Sequence, residues 1–231
     1  MKTNREALTE LEETIVDCRL CPRLVMWRTQ TAKTKVKRFI DEEYWGKPVP
    51  GFGDPSARLL IVGLAPAAHG GNRTGRMFTG DSSGAFLFSE LHKFGFANRP
   101  YSISKDDDLK VKDCFITAVT RCAPPMNRPL KEELYNCNQF LRKELKILSN
   151  LKVILTLGRI AFDEVVKMYY PPPKRKNGRI LPFKHGSVYS LNEKLVLISS
   201  YHPSQRNTLT RKLTVKMFDE VLQKVKEQLK D

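Results

Sequence analysis

Three polar segments, each directly after a β-rich run, hold the residues of this sequence that could do chemistry. Residues 63–81 read GLAPAAHGGNRTGRMFTGD and end in the acid Asp81. The segment RCAPPMNRP contributes the amide of Asn127, and YHPSQRN contributes the imidazole of His202. Because the carboxyl ends of parallel strands meet at one sheet edge, we expect these side chains to lie within reach of one another. The acid could act as a base or stabilise a cation, the amide could pair with the polar edge of a ring, and the imidazole could donate a hydrogen bond.

Each of these residues also has a simpler structural interpretation. Asp81 precedes a helical pattern and could serve only as its N-cap, a position that favours Asp. Asn127 lies just before a helix started by proline, where Asn is common as a cap or turn residue. A lone histidine such as His202 is more often structural than catalytic. The glycine-rich segment lacks the Gly-Lys-Ser/Thr ending of a Walker loop and the spacing of a dinucleotide fingerprint.

Four of the five cysteines have a spacing that could hold a metal. Cys18 and Cys21 are separated by two residues, and Cys122 and Cys137 by 14. Four thiolates could bind zinc or an iron–sulfur cluster, and the spacing leaves both open, with free thiols as a third option. Cys114 lies inside a β-rich run and is interpreted as a core residue, because free cysteine packs as a small hydrophobe.

The charge balance favours a polyanionic partner. The 231 residues include 40 Lys and Arg against 25 Asp and Glu, a net charge of +15. Three acid-free basic clusters, at residues 28–38, 174–184 and 206–216, indicate a face that contacts phosphates, although each could be ordinary solvated surface. A membrane is the weaker choice, because the most apolar stretch, residues 59–68, has about half of the roughly 20 residues that a spanning helix needs. The N-terminus shows no secretion signal, so we expect a cytoplasmic protein with reduced thiols.

The elements that must position these residues alternate between strand and helix. Four nearly continuous apolar runs are typical of strands covered on both faces, and amphipathic patterns separate them. The predicted strands are residues 58–63, 114–120, 152–157 and 195–200, and the predicted helices are residues 83–94, 129–148, 158–170 and 208–230. Thr3 and Glu6 predict a capping box for an N-terminal helix, whereas residues 32–53 are predicted to be irregular and 171–182 to form a basic loop. This rhythm predicts an α/β fold and one domain over residues 1–231.

The order and spacing of these segments make the chain similar to the family 5 (B-type) uracil-DNA glycosylases of thermophilic archaea and bacteria. The resemblance depends on GLAPAAHGGNRTGRMFTGD, RCAPPMNRP, HPSQRN and the four-cysteine set, which together span residues 18–207. It implies a three-layer α/β/α sandwich with a central four-stranded parallel sheet. It also implies a [4Fe–4S] cluster on Cys18, Cys21, Cys122 and Cys137. The implied activity is that of a monofunctional DNA glycosylase, which excises uracil, and also hypoxanthine or other deaminated bases, and leaves an abasic site for base excision repair.

The resemblance also assigns roles to individual residues. Asp81, Asn127 and His202 match the functional residues of the family, and Phe78 matches the aromatic that stacks on the flipped base. Other branches of the superfamily often place a polar catalytic residue where this chain has Leu64 and Ala65, so Asp81 is the natural group to activate the water. The base pocket is predicted to include Leu64, Ala65, Ala67 and Phe78, and the DNA contacts are predicted to come from Arg73, Arg76, Ser204, Gln205 and Arg206.

Two other classes of protein remain open at this point. A non-catalytic iron–sulfur DNA-binding protein would use the same basic clusters, but it would not need an acid, an amide and an imidazole to converge. A small electron-transfer protein would have no use for a charge of +15. We expect a monomer acting on uracil-containing DNA without a membrane, and a sliding clamp is a conceivable partner.

Overall fold

The four apolar runs form the centre of a six-stranded mixed sheet in a computed structural model, which describes residues 2–170 and 181–230. The strands are β1 (Phe52–Gly53), β2 (Leu59–Gly63), β3 (Cys114–Ala118), β4 (Val153–Leu157), β5 (Val188–Ser190) and β6 (Val196–Ser200). Their order is β1-β3-β2-β4-β6-β5, with the four central strands parallel and the two edge strands antiparallel. The predicted four-stranded parallel sheet is therefore confirmed, with two short edge strands added to it.

Helices cover both faces of this sheet. The helices are α1 (Asn4–Val16), α2 (Pro22–Thr34), α3 (Gly71–Thr74), α4 (Ser82–Lys93), α5 (Lys131–Ile147), α6 (Arg159–Tyr169), α7 (Gln205–Leu209) and α8 (Val215–Gln228). Side chains alternate between the faces of a strand, so Leu59 and Ile61 of β2 pack with α4 and α8. Their neighbours Leu60 and Val62 pack with α5 and α6 on the opposite face. The predicted three-layer α/β/α sandwich is confirmed.

Local signals explain most of the helix ends. At the start of α1, Glu6 N donates to Thr3 Oγ1 at 3.3 Å and Thr3 N donates to Glu6 Oε2 at 2.8 Å, which confirms the predicted capping box. Helix α2 was not predicted, although it begins with Pro22, a residue suited to the first turn. The segment after α2 was predicted to be irregular, and it contains a short 3₁₀ turn, Lys37–Phe39.

The prediction of one continuous helix over residues 208–230 was wrong. The chain forms α7, breaks, and begins again at α8. Arg211 adopts φ +55°, outside the helical region, and the Thr214 hydroxyl accepts from Met217 N at 3.2 Å as the N-cap of α8. Most of the predicted basic loop, residues 171–182, lies outside the described residues. Within the described part of the chain, no helix combines the length and apolar character needed to cross a bilayer.

Candidate active site

A cavity of about 220 Å³ opens at the carboxyl ends of the central strands. It is lined by Leu64, Ala65, Ala67, Phe78, Asp81, Ser83, Asn127, His202 and Ser204. The structure thus brings the predicted acid, amide and imidazole together around one space, with the four predicted base-pocket residues on its walls. Ser83, next to the acid, is the one lining residue that the sequence did not predict.

Asp81 serves both as a helix cap and as a wall of the cavity. Its Oδ1 accepts from Gly84 N at 2.9 Å as the N-cap of α4. Its other oxygen, Oδ2, lies against the backbone of Gly70, where a Cβ would overlap it. Burial raises the pKa of Asp81, while hydrogen bonds from the amides of Gly84 and Ser83 and the charge of Arg73 act in the opposite direction. The structural and functional interpretations of this residue are therefore compatible.

Phe78 is held in a backbone conformation that bulky residues rarely adopt. Its φ is +53°, and such strain is worth about 1–3 kcal/mol, so its surroundings must fix it. Two glycines do so, because a Cβ at Gly63 would overlap the Phe78 ring and one at Gly84 would overlap the Phe78 carbonyl. The Phe78 ring centroid lies 6.2 Å from that of His202, with 28° between the ring planes. The aromatic wall of the cavity is thus packed directly against the backbone of both glycines.

His202 follows β6 and is half-buried, with its imidazole facing the cavity. Asn207 Nδ2 donates to its backbone carbonyl at 2.8 Å, but its ring nitrogens form no hydrogen bond with any described residue. Burial lowers the pKa of His202 to about 4. The ring is therefore neutral near pH 7, with one N–H free to donate and one nitrogen free to accept.

Asn127 lies on the rim of the cavity in the 3₁₀ turn Pro125–Asn127. Both Met126 and Asn127 have positive φ, +53° and +55°, a conformation that Asn tolerates better than most residues. Asn127 is exposed, and its amide side chain forms no hydrogen bond within the described part of the chain. The amide is free to reach a ligand.

The residues predicted to contact DNA divide into two groups. Ser204 caps α7 by accepting from Asn207 N at 3.3 Å, and Gln205 and Arg206 are exposed on the first turn. Arg73 and Arg76 are only 8% and 6% exposed, so the prediction that they contact DNA phosphates was wrong.

Their guanidinium groups hold loops together. Arg73 pairs with Glu42 and donates to the carbonyl of Gly80 at 3.0 Å. Arg76 pairs with Asp107 at 2.5 Å and donates to Ser102 Oγ at 2.6 Å. Both arginines therefore position the glycine-rich segment from inside the protein.

The pentapeptide GDSSG, residues 80–84, has the Gly-x-Ser-x-Gly spacing of a hydrolase nucleophile elbow. Such an elbow needs the serine at a sharp turn directly between a strand and a helix. Here Ser82 is exposed and begins α4, and the strand that precedes it, β2, ends at Gly63. The pattern therefore does not form a nucleophile elbow.

The four cysteines come from three separate segments and converge. Cys18 and Cys21 lie between α1 and α2, Cys122 follows β3, and Cys137 lies on α5. All four are free thiols close enough to influence one another electrostatically. Burial raises the pKa of Cys122 to about 12 and that of Cys137 to about 11. Cys114 is buried in the core, as predicted.

A single metal ion does not fit this arrangement as it stands. Zinc bound by four thiolates holds sulfurs within about 4 Å of one another. Across residues 2–170 and 181–230, no group of three or more His, Cys, Asp or Glu side chains is placed to hold one ion. A cluster of several irons and sulfides would hold the same thiolates farther apart, because its own atoms lie between them.

Comparison with known proteins points to a single group. Residues 50–226 match the family described as "Uracil DNA glycosylase superfamily". The chain is 47% identical to a protein of Thermus thermophilus named "Type-5 uracil-DNA glycosylase" over 223 residues, which are 96% of this chain and 97% of that protein. A Pyrobaculum aerophilum protein of the same name is 46% identical, with coverage of 91% and 88%. An Archaeoglobus fulgidus "Type-4 uracil-DNA glycosylase" is 27% identical, with coverage of 86% and 82%.

Proposed function

The chain belongs to the type-5 uracil-DNA glycosylases of the uracil-DNA glycosylase superfamily, and we propose that its cavity receives uracil extruded from DNA and hydrolyses the N-glycosidic bond. The family predicted from the sequence is thereby confirmed. The observation that carries the proposed reaction is the grouping of Asp81, Asn127 and His202 around one cavity, with Phe78 on its wall.

Extrusion is needed because a base inside a duplex cannot be reached. Unpairing it costs a few kcal/mol, and less at a mismatch. The ring of Phe78 offsets part of this by stacking on the base, which is worth about 1–3 kcal/mol, and its fixed conformation keeps the ordering cost low. Gln205 and Arg206 are exposed beside the cavity and are available to fill the gap in the stack and to contact phosphates.

Bond cleavage separates charge between the sugar and the base. As the bond from the anomeric carbon to the ring nitrogen breaks, its electron pair moves to the base and positive charge develops on the sugar. The Asp81 carboxylate stabilises the sugar cation and orients the water that attacks the anomeric carbon, accepting its proton. The neutral imidazole of His202 donates a hydrogen bond to a base carbonyl, where negative charge develops. Asn127 pairs with the polar edge of the base.

The product is an abasic site for base excision repair, with no strand cleavage. A strand-cleaving lyase step uses a lysine as Schiff-base nucleophile. No lysine lines the cavity among the described residues. The small side chains of Ala65 and Ala67 leave room beside Phe78, which supports acceptance of hypoxanthine and other deaminated bases.

We further infer that Cys18, Cys21, Cys122 and Cys137 hold a [4Fe–4S] cluster. The convergence of four free thiols supports this, and so does the Nδ2 group of Asn136, which points a hydrogen bond at Cys21 Sγ at 3.6 Å. When bound, the cluster supplies a cross-link between these segments and a centre able to carry an electron. The cysteines themselves would join the segment between α1 and α2 to the loop that carries Asn127. We propose a structural role for this link.

A uracil-containing duplex with one labelled strand tests the reaction. After incubation with the protein, alkali is expected to cleave the strand at uracil, while the sample without alkali stays intact. A matched thymine duplex serves as the control. Uncleaved uracil strand, with tight binding to abasic DNA, would instead support a non-catalytic DNA-binding protein. The monomeric state and a contact with a sliding clamp stay predictions.

A further inference from the structure

One buried arginine has no anionic partner among the described residues. Four arginines of residues 2–170 and 181–230 are less than a tenth exposed: Arg28, Arg73, Arg76 and Arg121. Three of them pair with carboxylates: Arg73 with Glu42, Arg76 with Asp107 and Arg121 with Glu144. Arg28 is the exception, and its surroundings must account for a charge that burial makes costly.

Arg28 is only 5% exposed, and within the described part of the chain its guanidinium forms hydrogen bonds only with neutral carbonyls. Nη1 donates to the carbonyl of Gly46 at 3.1 Å, and Nη2 reaches the carbonyl of Cys18 at 3.4 Å. Nε has no hydrogen-bond partner among the described residues. Removing an ion from water costs several kcal/mol unless a counter-charge compensates, and arginine cannot lose its proton in proteins. The free Nε–H and the uncompensated charge therefore indicate that this site is suited to an anionic group.

The neighbours able to become anionic are the cysteines. Arg28 bonds to the backbone of Cys18 and acts electrostatically on the Cys122 thiol. Protonated thiols supply no negative charge. Thiols that coordinate iron are deprotonated, and a [4Fe–4S] cluster with four thiolates is a net anion. The negative counter-charge that Arg28 lacks is the charge that such a cluster would bring.

We propose that Arg28 is a positioning residue for the cysteine site, supplying the buried counter-charge and a free N–H donor that retain the bound cluster and raise its reduction potential. This role depends on the [4Fe–4S] cluster proposed above. The sequence places Arg28 at the start of a basic cluster expected to face phosphates, but the structure directs its guanidinium inward. Net charge and hydrogen bonds near the sulfurs are the means by which a protein sets such a potential.

A purely structural role is the competing interpretation. The Arg28 carbonyl accepts from Asn72 Nδ2 at 3.3 Å, and Asn72 is fully buried in the glycine-rich segment. The Asn72 carbonyl in turn accepts from Gly46 N at 3.0 Å. The bond from Arg28 Nη1 to the Gly46 carbonyl therefore braces the same loop through the side chain, and an experiment must separate this bracing from the effect of charge.

Two substitutions separate them. Arg28→Gln removes the charge but keeps an amide that can donate to the same carbonyls, and Arg28→Lys keeps the charge without the planar fork. Arg19→Gln is the matched control. Arg19 is exposed between Cys18 and Cys21, so this substitution removes the same charge from a position in solvent. For each purified protein we would measure iron content, the rate of iron loss to a chelator, and the reduction potential of the cluster.

We expect about four irons per chain in the parent protein. In Arg28→Gln, iron loss to the chelator should be about 10–100 times faster, the range typical of lost outer-shell partners, and the potential should fall because the reduced, more negative cluster loses its counter-charge. Arg28→Lys and Arg19→Gln should keep a potential close to that of the parent. Arg28→Gln with unchanged potential and iron retention would overturn the role of Arg28 and leave the cluster standing.

Other outcomes are equally decisive. A parent protein without iron would overturn the cluster, and the role of Arg28 with it, while the uracil assay would still test the reaction independently. If Arg28→Gln fails to fold, Arg28→Lys carries the test, because its charge should retain the cluster. Loss of iron from a folded Arg28→Lys protein about ten times faster than from the parent protein, or faster still, would overturn the proposal.

Discussion

The backbone of Gly70 lies directly against Oδ2 of Asp81, with no room for a Cβ between them. Glycine is therefore needed at this position for space. The other carboxylate oxygen is fixed by Gly84 N at 2.9 Å. The glycine-rich segment and the start of α4 thus clamp the acid from two sides.

Gly70→Ala should displace this carboxylate and reduce turnover. A shift of about 1 Å at a catalytic group can lower the rate about 10²-fold, and we expect at least a tenfold loss of single-turnover rate on a uracil duplex. Gly95→Ala is the control, because a Cβ at Gly95 would meet no atom of the described residues within 4 Å. It should lose some stability through its φ of +77° but keep its rate. An unaffected rate in Gly70→Ala would show that the clamp does not position the acid.

Asp81→Asn should separate the chemistry of this residue from its capping role. Asn caps helices as well as Asp does, so the free energy of unfolding should change by less than about 1 kcal/mol. An amide cannot accept the proton of the water or balance a sugar cation, so turnover should fall by about 10²-fold or more. Asp81→Ala should lose both stability and rate. Unfolding in urea and single-turnover excision measure the two effects, and an Asp81→Asn protein with normal rate would remove Asp81 from the mechanism.

His202 should act as a neutral donor across the neutral pH range. Its pKa is lowered to about 4, so the excision rate should show no inflection at the ordinary histidine value of 6.5. Protonation disfavours the folded state, so the contribution of His202 to stability is complete above pH 6.5 and declines as the pH falls toward 4. His202→Ala should lose about 10²-fold or more in turnover, because no donor faces the base carbonyl. An excision rate that falls by half as the pH rises through 6.5, with a flat profile in His202→Gln, would show that the ring is charged when it acts.

The sequence predicted the parts of the fold that repeat a pattern. The central strands are continuous apolar runs buried on both faces, and such runs can be recognised from the sequence alone. The edge strands β1 and β5 have two and three residues, too few to show a period. The break before α8 was missed because Leu213 keeps the apolar spacing across it, while Thr214 caps the new helix.

The sequence predicted those site residues whose positions are determined by the topology of the chain. Asp81, Asn127 and His202 follow strands of one sheet, so the rule of strand ends was enough to bring them together. Burial of a cation is decided by tertiary partners, which no local pattern shows. Arg73 was therefore assigned to the surface although it pairs with Glu42, and Arg28 was counted with an exposed cluster although it faces inward.

Glu90→Gln should stabilise the protein above neutral pH. Burial, with the nearby Asp219 carboxylate, raises the pKa of Glu90 to about 7 from 4.5. The folded state therefore holds a proton that the unfolded state releases, and the stability that this group contributes is complete below pH 4.5 and lost as the pH rises through 7. The advantage of Glu90→Gln over the parent should grow by about 1–3 kcal/mol between pH 5 and pH 8.

Urea unfolding at both pH values measures this difference. Glu13→Gln, which removes the same charge from an exposed position on α1, should give equal changes at both pH values. A Glu90→Gln protein that gains nothing at pH 8 would show that Glu90 ionises without cost, with Lys93, 3.8 Å away, as its compensating charge.

Arg206→Gln should weaken DNA binding without changing the chemical step. Arg206 is exposed on the first turn of α7, beside Ser204 on the cavity wall, and a phosphate contact there would release counterions on binding. We expect KM to rise several-fold with an unchanged single-turnover rate at saturation, and the salt dependence of binding to lose a slope of about 1. Arg5→Gln, with the same charge change on α1, should leave both quantities unaltered. Equal effects of the two substitutions would mean that only net charge attracts DNA, and a reduced single-turnover rate in Arg206→Gln would mean that Arg206 takes part in extruding the base.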